Sequence, residues 1–200
     1  EDADGHIGLG QAHAAGKQFE AAERSFRAAV QVEPAFWGAF NALGGYLFSR
    51  GNIDEAIDAY REVSELAPSS ASAHNNLGAA LQMKGDLRGA AEAYRRSLAI
   101  EPAPSAYSNL GTVHYFLGEF DAAAAEFTRV LDLGRRTQDS TSPATLVANL
   151  ANVHCKKGAA LRVRGDREGA RLEGVQGEIL ARRALEAADV TLMRSDLLSV

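Results

Sequence analysis

Five histidines are the side chains of this sequence best suited to metal binding or proton transfer. A metal shared by two side chains of one helix needs ligands three or four residues apart. The nearest pair, His6 and His13, is seven residues apart, which is about 10 Å along a helix axis. The spacing therefore predicts no metal site.

Two other patterns could support chemistry, but each lacks the surroundings it would need. The glycine cluster from Gly5 to Gly10 is not preceded by a strand pattern, as a phosphate-binding loop would be. Cys155 is the single cysteine, so it cannot form an internal disulfide, and no His with Asn or Asp is arranged to activate it. We therefore predict that the chain is not an enzyme and uses no cofactor.

The chain is built from a repeated unit, and its clearest copy spans Ala71 to Pro102. Its marked positions are a leucine–glycine pair at 7 and 8, a turn glycine at 15, a small residue at 20, an aromatic residue at 24 and a proline at 32, here Leu77, Gly78, Gly85, Ala90, Tyr94 and Pro102. The same types recur at shifts of thirty-three or thirty-four residues, with Gly16 one residue early. Four copies, about 3–34, 37–68, 71–102 and 104–135, indicate a solenoid.

Each unit is predicted to be two short antiparallel helices. The first helix carries Gly78 in its middle, which costs about 1 kcal/mol relative to alanine, so we expect the glycine to allow close approach of the second helix. Gly85 suits the turn because glycine adopts positive φ readily. Asp86 is placed to cap the second helix.

The pattern changes after Leu133. Residues 134–143 are polar and rich in turn formers, which predicts an exposed loop. Residues 144–200 then predict an atypical repeat and capping helix, with a first helix from about Thr145 to Arg164 and a second after Asp166 that is broken near Gly174 and Gly177. An apolar stripe is expected to cover this last repeat, through Ala181, Leu185, Ala188 and Leu192. Residues 1–200 are predicted to form a single domain.

The repeat pattern resembles the tetratricopeptide repeat family. Repeat two matches it through Phe40, Leu43, Gly44, Ala56, Tyr60 and Pro68, and repeat four through Tyr107, Leu110, Gly111, Ala123 and Phe127. The resemblance implies an all-α fold, a right-handed solenoid of antiparallel helix pairs with about five repeats, the last irregular and lengthened. It also places all five histidines at positions 4 and 11, where the family has aromatic packing residues.

The resemblance further implies a non-catalytic protein–protein interaction module that binds a peptide or partner helix in a concave groove lined by first helices. Asparagine amides there could pair with any peptide backbone, because an amide both donates and accepts hydrogen bonds. The alternative is that these amides only tie neighbouring helices together. The groove residues transferred from the family pattern are Asn41, Phe48, Asn75, Asn76, Gln82, Met83, Ser108, Asn109, Thr112, Tyr115, Phe116, Asn149 and Asn152.

The family's clamp for the C-terminal carboxylate of chaperones is missing. The four positions at which that clamp has lysine, asparagine, lysine and arginine hold Gln11, Ala42, Ser72 and Asn76 in this sequence. Chaperone docking is therefore disfavoured. The pattern around Tyr107 also resembles repeat regions attached to bacterial signalling proteins, so a recognition arm of a larger signalling protein or enzyme is an alternative function.

The formal net charge of −5 disfavours nucleic acid as a partner, and no apolar run is long enough for direct membrane insertion. One local cluster is basic, and it could dock an acidic partner or be an ordinary solvated helix end; it consists of Lys156, Lys157, Arg162 and Arg164. A structural or oligomerising segment that forms a homodimer is a further alternative. Because the chain starts at Glu1, inside a repeat, we expect it to be a fragment of a longer protein. We expect that protein to be cytoplasmic, or periplasmic if it is membrane-anchored.

Overall fold

The computed structural model describes the backbone of residues 2–137 and 143–197, and the side chains of 2–133 and 145–186. Within these residues the chain forms ten helices and no strand. Contacts divide it into two compact units, Glu1–Pro102 and Ala103–Val200. None of the helices in the described part is both long enough and apolar enough to cross a membrane.

The first unit contains three helical hairpins. Its helices are α1 (Ala3–Ala15), α2 (Phe19–Val32), α3 (Trp37–Ser49), α4 (Ile53–Leu66), α5 (Ala71–Lys84) and α6 (Leu87–Ile100). Each odd-numbered helix packs on the next helix of its own hairpin, and α2 packs on α3 as α4 packs on α5. The three first helices begin at the residues where the sequence placed repeats one to three.

The second unit contains two hairpins, built from α7 (Pro104–Leu117), α8 (Phe120–Thr137), α9 (Pro143–Val163) and α10 (Arg167–Leu197). The predicted loop at 134–143 began too early, because residues 134–137 continue α8. Only Gly134 among them is a poor helix former. Pro143 is the first residue of α9, and residues 138–142 lie outside the described part.

A glycine of each regular first helix faces an aromatic ring of the second. A Cβ atom on Gly78 would lie 2.7 Å from Cε1 of Tyr94, and one on Gly111 would lie 3.0 Å from Cε1 of Phe127. The ring therefore occupies the space that any larger residue would need. This contact explains why glycine is used inside a helix in spite of its low propensity.

The turns use the predicted residues. Gly85 has a φ of 89°, and the Asp86 carboxylate accepts a 3.0 Å hydrogen bond from the backbone N–H of Gly89. In repeat one Gly16 comes one residue early, and the positive φ of the turn falls on the next residue, Lys17, at 58°.

The fifth hairpin differs from the others in how its helices meet. Aligning its turn with that of repeat three places Gly174 where Tyr94 stands, so no ring fills the space beside Gly158. The backbones of α9 and α10 lie close to each other instead, and a Cβ on Gly158 would lie 3.1 Å from the Ala170 carbonyl oxygen. The predicted break near Gly174 and Gly177 is wrong, since α10 continues through both. Gly177 allows close packing, because a Cβ there would lie 2.8 Å from Sγ of Cys155, whereas a Cβ on Gly174 would meet nothing within 4 Å.

Candidate functional site

The histidines that invited a chemical role make contacts inside the fold. His74 is buried, and its Nε2 lies 3.0 Å from the Pro68 carbonyl oxygen. His114 is also buried, with Nδ1 2.5 Å from Oε2 of Glu119. Among the described side chains, those of residues 2–133 and 145–186, no group of three or more His, Cys, Asp or Glu could hold a metal ion. His74 and His114 are therefore part of the packed interior.

In the first unit the predicted groove amides bond to other side chains. Asn76 of α5 donates a 3.2 Å hydrogen bond from Nδ2 to Oδ1 of Asn41 on α3. Gln82 accepts a 3.0 Å hydrogen bond from the Tyr94 hydroxyl. Both contacts stabilise the packing of helices. Asn75 and Phe48 are half-buried, and Met83 is exposed.

In the second unit the structure brings predicted residues of two repeats together. A cavity of about 180 Å³ lies between α7 and α9. It is lined by five residues of the predicted groove, Thr112, Tyr115, Phe116, Asn149 and Asn152, and by Phe127 of α8. The other two predicted residues of α7, Ser108 and Asn109, are half-buried outside this lining.

Aromatic contacts hold the α7 side of this cavity in place. The Tyr115 ring packs edge-on against Phe116, with ring centroids 5.6 Å apart, and against Phe120 at 6.1 Å. Edge-to-face pairs of this kind are favourable because the positive edge of one ring meets the negative face of the other. Phe116 is nevertheless 64% exposed. A largely exposed ring beside a fixed one offers apolar surface to a ligand.

The α9 side supplies two amides. Asn149 is half-buried and Asn152 is exposed. Within the described side chains, neither amide has a hydrogen-bond partner in the protein, in contrast to Asn41 and Asn76. Each amide can therefore donate to and accept from a bound molecule.

A second cavity, of about 470 Å³, shares Asn152 with the first and extends between α9 and α10. Its α10 wall consists of Ala181, Ala184 and Leu185. The sequence assigned Ala181 and Leu185 to a stripe covering the last repeat, but both are exposed and line this opening. The side chains of Ala188 and Leu192, the rest of that stripe, lie outside the described part. Sequence reasoning missed Phe127 and these α10 residues as parts of the site.

The predicted basic cluster is partly used within the fold. Nζ of Lys157 lies 2.5 Å from Oδ1 of Asp121 and 2.8 Å from Oε1 of Glu173, which links α8, α9 and α10. The hydrogen bonds that Lys157 donates to the carboxylates of Asp121 and Glu173 raise its pKa. Lys156, Arg162 and Arg164 are exposed. The cluster therefore offers fewer charges to a partner than its sequence suggests.

A wider cavity, of about 600 Å³, lies in the first unit, and none of the predicted groove residues lines it. It is lined by residues of α4 and α6 with His74 and Leu77 of α5 between them. Its two guanidinium groups are paired, Arg61 with Asp58 at 3.2 Å and Arg96 with Glu92 at 2.6 Å. Because this cavity includes none of the predicted groove residues, we place the candidate site at the α7–α9 cavity instead.

Helical hairpins that present amides and rings on their first helices define a helical-repeat interaction protein. Family models described as tetratricopeptide repeats match residues 3–36, 71–104 and 105–137, and one described as a TPR repeat matches 46–85. The chain belongs to the tetratricopeptide repeat family, and it is a protein–protein interaction module. No curated protein matches the chain.

Solved structures of similar fold include MamA, with a TM-score of 0.70 and 20% identity over 92% of this chain and 94% of that one. YrrB, described as a TPR protein with an unusual peptide-binding site, gives a TM-score of 0.66 and 16% identity over 95% and 92% of the two chains. PilF of Pseudomonas aeruginosa gives 0.64 and 18% over 96% and 97%. The predicted fold class, all-α with about five repeats, is confirmed.

Proposed function

We propose that this chain is a non-catalytic module that binds an extended segment of a partner protein at the α7–α9 cavity. The observation that carries the proposal is the convergence of Tyr115, Phe116, Asn149 and Asn152 around one opening. Apolar walls with a few polar groups are typical of ligand sites. A protein of the same fold, YrrB, is described as having a peptide-binding site, which agrees with this kind of ligand.

The size of the cavity indicates what enters it. An apolar cavity of about 150 Å³ is large enough to hold benzene. The α7–α9 cavity, at about 180 Å³, therefore has room for one phenyl ring or one branched aliphatic side chain. We expect the partner segment to carry such a side chain as its anchor.

The amides define how the rest of the segment is held. Extended peptide exposes backbone N–H and C=O groups alternately, and Asn149 and Asn152 can pair with either group. These bonds do not depend on the partner's side chains, so the apolar anchor supplies the selectivity. The opening beyond Asn152, walled by Ala181 and Leu185, gives the segment an apolar path towards α10.

The test uses peptides selected on this chain from a random phage-displayed library. We expect the selected peptides to share one large apolar side chain. Their affinities are then measured by fluorescence anisotropy for the wild type and for Phe116→Ala, Asn149→Ala and Asn152→Ala. Removal of the Phe116 ring should weaken binding about tenfold, which is ~1.4 kcal/mol, and each amide removal should weaken it several-fold.

Val163→Ala is the matched control, because Val163 is 89% exposed on α9 and does not line the cavity. It should bind the peptides as the wild type does. Circular dichroism confirms that each variant is folded. The proposal fails if the library yields no binder, if the selected peptides share no apolar side chain, or if Phe116→Ala retains full affinity.

A further inference from the structure

The outward face of α10 carries an apolar stripe. Leu172, Val175 and Ile179 are 57%, 48% and 42% exposed. They are spaced by three and four residues, so they lie on one side of the helix. Residues of α10 that are buried, such as Gly177 and Ala184, lie on the opposite side. The stripe is therefore directed away from α9.

Charged residues in line with the two ends of the stripe have opposite signs, and the acidic Glu186 lies one turn further along the side of α10 that carries the stripe. Glu168 precedes it by one helical turn, and Arg182 and Arg183 follow it. All three side chains are exposed. Glu168 is within 2.8 Å of Arg171, and Arg182 is within 2.8 Å of Glu178, both in solvent-exposed pairs, which contribute little and can be rearranged.

We propose that this stripe is an interface with a second copy of the chain, in which two α10 helices pack antiparallel. In this arrangement Leu172 faces Ile179 of the other copy, and Val175 lies near the twofold axis. The Glu168 carboxylate then meets the guanidinium groups of Arg182 and Arg183 at the opposite end of the other copy's stripe. Because one surface supplies both halves of every contact, the interface is self-complementary, as a twofold dimer requires.

The charges decide the direction of packing. Parallel helices would place Glu168 beside Glu168 and arginines beside arginines, which is destabilising. Antiparallel helices place each Glu168 beside Arg182 and Arg183 at both ends of the apolar stripe. The spacing of the stripe matches the alternating three- and four-residue pattern by which two helices pack side by side. The interface involves none of the residues that line the α7–α9 cavity, so it is independent of peptide binding.

Sedimentation velocity of this chain between about 1 and 200 µM tests the proposal. We expect a dimer at the high end that dissociates on dilution. Val175→Asp places a carboxylate at the centre of the interface and should raise the dissociation constant at least tenfold. Val163→Asp, a similar change at an exposed residue outside the stripe, should leave the dimer intact.

The direction of packing is tested by reversing charges. Glu168→Arg alone, and Arg182→Glu with Arg183→Glu, should each dissociate the dimer because like charges then meet. An equimolar mixture of the two variant proteins should restore it, since every Arg then faces Glu. A wild type that is monomeric throughout the range would overturn the proposal and leave the stripe to a different partner or chain segment. So would a dimer that survives Val175→Asp, or a mixture that fails to associate.

Discussion

The two units carry the same kind of amide on their first helices, yet they use it differently. In the first unit Asn76 donates to Asn41 across the α3–α5 contact. In the second unit Asn149 and Asn152 line a cavity and bond to none of the described side chains. The difference follows what lies beside each amide, which is another amide for Asn76 and the rings of Tyr115, Phe116 and Phe127 for Asn149 and Asn152. The proposed function therefore assigns binding to the second pair of amides and packing to the first.

The hairpins differ in a second way. In the regular repeats an aromatic ring fills the space beside a helix glycine, as Tyr94 does beside Gly78. In the fifth hairpin glycines face backbone, and α9 and α10 meet directly. Polar side chains also link the two helices, since the Glu173 carboxylate lies 2.8 Å from Nζ of Lys157 and 2.6 Å from Nδ1 of His154.

The largest expected effect tests the close contact of α9 and α10. A Cβ on Gly177 would lie 2.8 Å from Cys155 Sγ and 3.2 Å from the Ala151 carbonyl oxygen, whereas one on Gly174 would meet nothing within 4 Å. Overpacking costs about 1–3 kcal/mol, and alanine gains about 1 kcal/mol of helix propensity over glycine. Because a backbone oxygen and a short side chain cannot easily move away, we expect the cost to lie in the upper part of that range. Gly177→Ala should therefore lower the free energy of unfolding by about 1–2 kcal/mol in urea titrations.

Gly174→Ala is the control from the same helix, and it should raise the free energy of unfolding by up to about 1 kcal/mol. The two variants thus move in opposite directions although they lie three residues apart. Equal effects of the two changes would show that α10 does not pack as closely on α9 as described.

The regular hairpins could be predicted from the sequence because their period, turn glycines and helix caps are local signals. The lengthened α9 was predictable as well, since Gly165 and Asp166 repeat the turn of Gly85 and Asp86. The continuity of α10 was not, because a glycine that breaks a helix and one that admits a neighbouring helix look identical in sequence. Which asparagines face a partner also depends on packing between repeats, which no spacing within one repeat reveals.

A change in stability of comparable size depends on pH. Burial favours the neutral form of Glu173, which is 17% exposed, but hydrogen bonds from Lys157 and His154 outweigh it and hold its pKa below the ordinary value of 4.5. A depressed pKa adds stability that is present above the ordinary value and is lost as the pH falls through the folded-state pKa. Glu173→Gln should cost about 1–2 kcal/mol at pH 7.

The difference in unfolding free energy between the wild type and Glu173→Gln should shrink as the pH falls from 4.5 towards 3. Glu178→Gln is the control, because its exposed pair with Arg182 contributes little. Urea midpoints at each pH measure both. A difference that stays constant down to pH 3 would exclude an ionised Glu173 as the source of the stability.

The smallest expected effect tests the comparison of the amides directly. Asn76→Ala removes the hydrogen bond to Asn41 and should lower the free energy of unfolding by about 1 kcal/mol. Asn149→Ala removes no protein hydrogen bond among the described residues and should leave stability within about 0.5 kcal/mol of the wild type. Peptide binding should show the reverse order, with Asn149→Ala the weaker binder. If Asn149→Ala were the less stable variant, its amide would serve packing, and the two surfaces would not differ in the way described.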